Sequence, residues 1–174
     1  ARIEAYDPPW PLPKVFRIKK WGKADQSIFA GETINTPSLL CVEDYLDALA
    51  WAAEIGLNGL MARSLANLQV VADWVEKTAW IEFLAQTPAI RSSTSVCLSV
   101  VSEKVLAMTK EERAKFLKSI AGELSKNGLA HDVASYKDAP PGFRFWCGST
   151  IEALDVKAAL LALETVYNEK IQSV

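Results

Sequence analysis

Phe143-Arg-Phe-Trp-Cys-Gly-Ser-Thr-Ile-Glu152 is the stretch that decides the fold. Phe143, Phe145 and Cys147 fall on one side of an extended chain, and Arg144 and Trp146 on the other. The pattern then switches. Ser149 and Glu152 have the spacing of a capping box, and Val156, Leu160, Leu163 and Tyr167 recur at helical spacing to about Ile171. A strand thus feeds directly into an amphipathic helix. Upstream, Ala139-Pro-Pro-Gly142 reads as a turn, and residues 130–136 read as the strand before it.

The same two periods recur toward the N-terminus. Val96, Leu98 and Val100 alternate with Ser95, Cys97 and Ser99, the period-two mark of a half-buried strand. Thr109-Lys-Glu-Glu112 is a capping box opening a helix with Phe116, Leu117, Ile120 and Leu124 inward, closed by Gly128. Before these, Thr36 fits an N-cap and Pro37 a first helical position. Leu39, Val42, Leu46, Leu49 and Ala53 form the stripe of that helix, and Gly56 ends it. A second helix over about 58–77 carries Met61, Leu65, Leu68, Ala72 and Val75. The fold class is α+β: a small antiparallel or mixed sheet with helices packed on one face. Two regions are expected, an extended Pro-rich and basic segment over 1–35 and a domain over 36–174. Pro8, Pro9, Pro11 and Pro13 forbid a regular helix around Trp10.

Composition narrows the function. The chain has 174 residues, with 19 basic and 21 acidic side chains, so its net charge of −2 speaks against a dedicated nucleic-acid binder. The one histidine, His131, excludes zinc motifs that need two, and no metal ligand set is expected. No apolar run approaches the roughly 18–20 residues of a membrane span. Cys41, Cys97 and Cys147 are widely spaced among apolar residues and read as small buried hydrophobes of a reducing cytosol. A catalytic thiol with His131 as its base is the competing reading, but the spacing singles out no pair.

Three places can carry chemistry. Asn35 and Thr36 lie where an extended chain turns into a helix, a place suited to holding a phosphate. An ordinary N-cap is the simpler reading. Arg144, inside an aromatic strand, needs a planar acidic partner or water, and either a substrate carboxylate or an internal ion pair satisfies it. Tyr136 and Lys137 stand just before the turn that leads to Arg144, and suit a second anionic group or a solvated strand end. Arg91 is a weaker case of the same kind.

Several of these stretches resemble one family. Pro-Pro-Trp-Pro-Leu-Pro-Lys14, Gly31-Glu-Thr-Ile-Asn-Thr-Pro-Ser38, the run from Cys41 to Leu49, Arg91-Ser-Ser-Thr-Ser-Val-Cys97 and Tyr136–Gly148 are similar to phosphoserine aminotransferases of the alphaproteobacterial and methanogen type. The resemblance implies the C-terminal small domain of a fold-type I enzyme that uses pyridoxal 5'-phosphate, with residues 1–35 left from its large domain. It implies transfer of an amino group between glutamate and 3-phosphohydroxypyruvate, in serine biosynthesis and also in pyridoxine synthesis, by a cytoplasmic homodimer. Asn35 and Thr36 match the pair that reaches the partner subunit's cofactor phosphate, and Arg144 matches the arginine that grips the substrate carboxylate. Tyr136 and Lys137 stand where related enzymes carry a His-Arg pair for the substrate phosphate. The lysine that holds the cofactor lies upstream of the Pro-Pro-Trp segment in the family. The resemblance therefore implies a piece with no catalytic residue of its own, inactive alone and without covalently held cofactor. A stand-alone α+β binding or dimerisation module, and another fold-type I transaminase, are the alternatives.

Overall fold

Proline at positions 8, 9, 11 and 13 leaves only short elements at the start of the computed structural model, which describes residues 2–173. Helix α1 is a single turn (Arg2–Ala5), and a 3₁₀ turn follows at Lys14–Phe16. Strands β1 (Lys19–Lys20) and β2 (Lys23–Ala24) form a two-stranded hairpin, and a second 3₁₀ turn spans Ser27–Ala30. The segment expected to be simply extended thus contains a helical turn and a hairpin. Trp21 and Gly22 both take positive φ in the hairpin's turn (56° and 77°), which lets two residues reverse the chain.

Helix α2 (Leu39–Lys77) is interrupted at Gly56, whose φ of 73° and ψ of 156° are not helical. The expected stop at Gly56 is therefore present, followed at once by a second helical segment. Only glycine takes this conformation without strain. The chain divides into two compact units here, one ending at Glu54 and the other starting at Ile55. This division falls later than the 35/36 boundary read from composition. The start of α2 also differs from expectation. Ser38, not Thr36, precedes the first helical residue: its carbonyl accepts from Val42 N–H (3.1 Å) and its hydroxyl from Cys41 N–H (3.5 Å).

The unit from Ile55 onward holds the sheet. Strands β3 (Ile81–Phe83), β4 (Ser95–Val100) and β5 (Phe143–Trp146) pair antiparallel in that order. A short helix α3 (Glu103–Leu106) and the longer α4 (Lys110–Lys126) come between β4 and β5, and α5 (Ala153–Ile171) closes the chain. Register places Ile81 opposite Val100, Phe83 opposite Leu98, Val96 opposite Phe145 and Leu98 opposite Phe143. All seven side chains are buried on one face, in one core with Val71 of α2, Leu117, Ile120 and Leu124 of α4, and Val156, Leu160, Leu163 and Tyr167 of α5. This is the α+β arrangement expected, with β4, β5 and α5 facing inward as their periodicity predicts. The capping box at Thr109 is formed: Glu112 N–H donates to the Thr109 hydroxyl (3.3 Å) and Thr109 N–H to the Glu112 carboxylate (2.9 Å).

Three expectations are corrected. Residues 130–136 form no strand, only a single bridge between Ala134 and Phe143, because Asp132 takes a left-handed φ of 54° that bends the chain off the sheet edge. Ser149 does not cap α5, which starts after Glu152. Glu152 is itself the N-cap, its carbonyl accepting from Asp155 and Val156 N–H, while Arg63 binds its carboxylate and the Ser149 carbonyl (2.7 Å), so no side chain caps the helix. The second half of α2 follows its expected apolar stripe at Leu68, Ala72 and Val75, which pack against the core, but departs from it at the start. Met61 and Leu65 are each 55% exposed, while Ser64, Asn67 and Val71 are buried. Asn67 explains the departure. Its side-chain amide donates to the carbonyls of Cys147 (3.2 Å), Gly148 (3.2 Å) and Ile151 (2.9 Å). Ser64 donates to the carbonyls of Ser93 (2.7 Å) and Cys147 (3.2 Å). These donors serve carbonyls of the irregular link between β5 and α5, and for that two polar side chains of α2 turn inward.

Two substitutions on this helix separate the two faces. Asn67→Ala removes one donor from three carbonyls and the main one from that of Ile151, since Ser64 still reaches Cys147 and Ile151 N–H still reaches Gly148. It is expected to cost about 1–3 kcal/mol in urea unfolding, while Met61→Ala stays within about 0.5 kcal/mol. Equal losses at the two positions would contradict the inward polar contacts. The capping box has a pH signature. Thr109 backbone and side-chain hydrogen bonds hold the Glu112 carboxyl below the usual glutamate range. A depressed folded value means that stability is present above the usual glutamate titration and is lost as pH falls through the lowered one. An NMR titration is expected to show Glu112 titrating low, and higher again in Thr109→Ala.

Candidate functional site

The pairing of β5 on β4 turns Phe143 and Phe145 into the core and leaves Arg144 on the other face, opposite Cys97. Gly142 enables this pairing. A Cβ there would lie 2.2 Å from the Leu98 carbonyl oxygen, so only glycine lets the turn approach β4 so closely. The Arg144 side chain is only 10% exposed. Its Nη2 donates to the Asp132 carboxylate (2.5 Å) and, at 3.4 Å, to the Asp132 carbonyl. The Tyr136 ring lies under the guanidinium, 4.4 Å from its carbon, in a cation–π contact. Nε is buried and has no partner among the described residues. A buried, charged N–H without an acceptor is costly, and natural proteins keep few of them. The site is thus half-satisfied: an arginine held from one face and at one nitrogen, with a second donor open.

The structure brings Arg144 and Tyr136 together. Lys137 is exposed beside them and lines, with Tyr136, Lys110, Lys118 and Gly142, a cavity of about 340 Å³. Its three lysines give it cationic character. Asn35 and Thr36 belong to the other unit, and both are exposed in the approach to α2, upstream of Ser38. No hydrogen-bond partner holds either side chain among the described residues, so an amide and a hydroxyl are available there. That donor set fits a phosphate, although the helix start itself lies farther along than the sequence suggests.

Arg91 is already employed. Its Nε donates to the Ala85 carbonyl (3.0 Å) and its Nη2 to the Gln86 carbonyl (3.1 Å), and its guanidinium sits 3.9 Å from the centre of the Phe83 ring. It holds the loop between β3 and β4. Asp132 is the residue that sequence reasoning missed. The only sign of it was its place two residues after Ala130 in a segment read as a strand, and the left-handed turn that aims it at Arg144 leaves no mark in periodicity. A cavity of about 550 Å³ in the first unit is lined by Tyr6, Trp10, Phe16 and Ile18, with Lys19 at its rim. That lysine is engaged by Asp7 (2.7 Å) and the carbonyls of Glu4 (3.1 Å) and Tyr6 (3.2 Å).

Of the thiols, Cys147 is fully buried, and burial pushes it up to about 11. His131 points elsewhere, its Nδ1 sharing a hydrogen bond with the Ser125 hydroxyl (3.0 Å). No group of three or more His, Cys, Asp or Glu side chains able to hold a metal ion occurs among the described residues, and no described helix is long and apolar enough to cross a membrane. With iodoacetamide near neutral pH, the exposed Cys41 is expected to label and Cys147 to stay unlabelled until the protein unfolds. Rapid labelling of Cys147 in the native state would reopen a catalytic thiol.

No protein-family model matches the chain. Individual proteins do. The chain is 46% identical over 168 residues to a phosphoserine aminotransferase of Methanosarcina barkeri (strain Fusaro), and 45% identical over 168 residues to that of Methanosarcina mazei. Each match covers 96% of this chain and 43% of the relative, so the chain spans less than half the length of these proteins.

Proposed function

We propose that this relative of the phosphoserine aminotransferases is the C-terminal small domain of such an enzyme, with its first residues drawn from the large domain. The parent would move an amino group between glutamate and 3-phosphohydroxypyruvate, and this part would supply substrate grip. The observation that carries the reading is the open, buried Nε of Arg144. Both substrates share an α-carboxylate, and a planar carboxylate is the acceptor that a guanidinium fork fits best.

Arg144 then does two things. It neutralises the carboxylate in a partly dry place, and it fixes the orientation of the carbon beside it. Tyr136 keeps the guanidinium plane from turning. The lysine-lined cavity next to Tyr136 suits the second anionic group, and Lys137 is its contribution from the Arg144 loop. A phosphate and a γ-carboxylate would be told apart there by charge and size. Pyridoxal 5'-phosphate, when bound, supplies the electron sink that the amino transfer requires. Asn35 and Thr36 are the residues that would hold its phosphate, in the partner subunit of a homodimer. The exposed apolar stripe of the first half of α2, with Leu39 at 77% exposure and Leu46 at 52%, supports association with further protein surface. No lysine here falls in the family's cofactor-binding motif, so we expect no covalently held cofactor and no turnover from these 174 residues alone. Serine biosynthesis in the cytoplasm is the setting this activity implies.

A chimera tests the reading. The corresponding region of the Methanosarcina barkeri enzyme is replaced by this chain, and transamination of 3-phosphohydroxypyruvate by glutamate is measured. Turnover is expected, and Arg144→Lys in the chimera is expected to lower kcat/KM for both substrates by about 10- to 100-fold. A folded chimera with no turnover, or an Arg144→Lys variant with unchanged kinetics, would contradict the proposal.

A further inference from the structure

We propose that Asp132 is an internal stand-in for the ligand's carboxylate, occupying Arg144 while the site is empty and giving way when a carboxylate arrives. The inference rests on the reading of Arg144 as a carboxylate grip and adds a residue that sets its affinity.

The geometry is asymmetric in a telling way. Arg144 is nine-tenths buried, whereas the Asp132 side chain is 84% exposed. An exposed carboxylate gains little from an ion pair, because water solvates it nearly as well. The buried guanidinium gains much more, since an uncompensated charge there is costly. The pair therefore serves the arginine. Yet Asp132 meets only Nη2, and Nε next to it stays open. A ligand carboxylate that takes the fork of Nε and Nη2 needs the nitrogen that Asp132 holds. Both acceptors seen at Nη2 belong to Asp132, its carboxylate and, at 3.4 Å, its carbonyl, so an incoming oxygen at Nη2 competes with the Asp132 carboxylate.

Asp132 is placed to move. It lies in an irregular stretch at a left-handed φ of 54°, outside any strand or helix, and its side chain has no other hydrogen bond or ion pair among those seen. On displacement it returns to water at little cost. The exchange of one carboxylate for another keeps the guanidinium paired throughout. It also filters ligands, since a neutral group cannot evict an ion-paired aspartate.

The choice of variant follows from the backbone. Asn tolerates positive φ as well as Asp does, so Asp132→Asn removes the charge and keeps the turn. Asp138→Asn is the control. It makes the same change in net charge at an exposed neighbour that has no contact with Arg144. Binding of glutarate to the 174-residue chain is followed by calorimetry, and the Arg144 Nε–H resonance by NMR. Asp132→Asn is expected to bind glutarate at least about fivefold more tightly than the unaltered chain, with a shift of the Nε–H signal on saturation. Asp138→Asn is expected to match the unaltered chain. Equal or weaker binding by Asp132→Asn would overturn the inference while leaving the carboxylate grip intact. So would an equal gain in Asp138→Asn, which would mark a general charge effect. If neither the unaltered chain nor Asp132→Asn binds glutarate and the Nε–H signal never moves, the grip itself fails and this inference with it.

Discussion

The register of β5 on β4 is the constraint on which the site depends. Phe143 and Phe145 must enter the core opposite Leu98 and Val96, and the pleat then forces Arg144 to the other face. A slip by one residue would bury the guanidinium among aliphatic side chains and expose two phenylalanines. The cost of that exchange is many times the few kcal/mol that any single contact of Arg144 supplies. Gly142 protects the register from one end, because the backbone of the turn touches β4 too closely for any side chain. Asn67 protects it from the other, by holding the carbonyls that follow the strand. A core decision made by two aromatic rings thus fixes where a charge is presented.

Much of this was legible in the sequence. The strand at 95–100 and the helix from Ala153 follow their apolar spacing because each buries one plain hydrophobic face. The Thr109 capping box is local chemistry and was read as such. What escaped was governed by long-range polar contacts. Arg63 reaches across the unit to bind the Glu152 carboxylate, which the expected capping box would have used, and α5 starts three residues later than that box placed it. Ser64 and Asn67 face inward because backbone carbonyls distant in sequence need donors, so hydropathy misplaced the start of the buried face. Asp132 is invisible to periodicity because its contact with Arg144 depends on a single left-handed residue.

The site itself was partly legible. Arg144 stands out because a charge inside an aromatic strand requires an explanation, and the structure offers one that is incomplete: one nitrogen paired, one open. Tyr136 lies against the guanidinium face and also lines the lysine-rich cavity. Arg91 is a weaker cue, and its Nε and Nη2 are spent on the loop before β4. What separates Arg91 from the proposed binding arginine is a buried Nε left without a partner, which sequence pattern does not encode.

The proposed grip requires that the unpaired Nε of Arg144 receives a substrate carboxylate. A crystal structure of the chain, or of the chimeric enzyme, with glutamate bound tests this most directly. A glutamate carboxylate is expected within hydrogen-bond distance of Arg144 Nε and Nη2. Glutamate bound elsewhere with Arg144 Nε still unpaired, or filled only by water, would contradict the proposed grip.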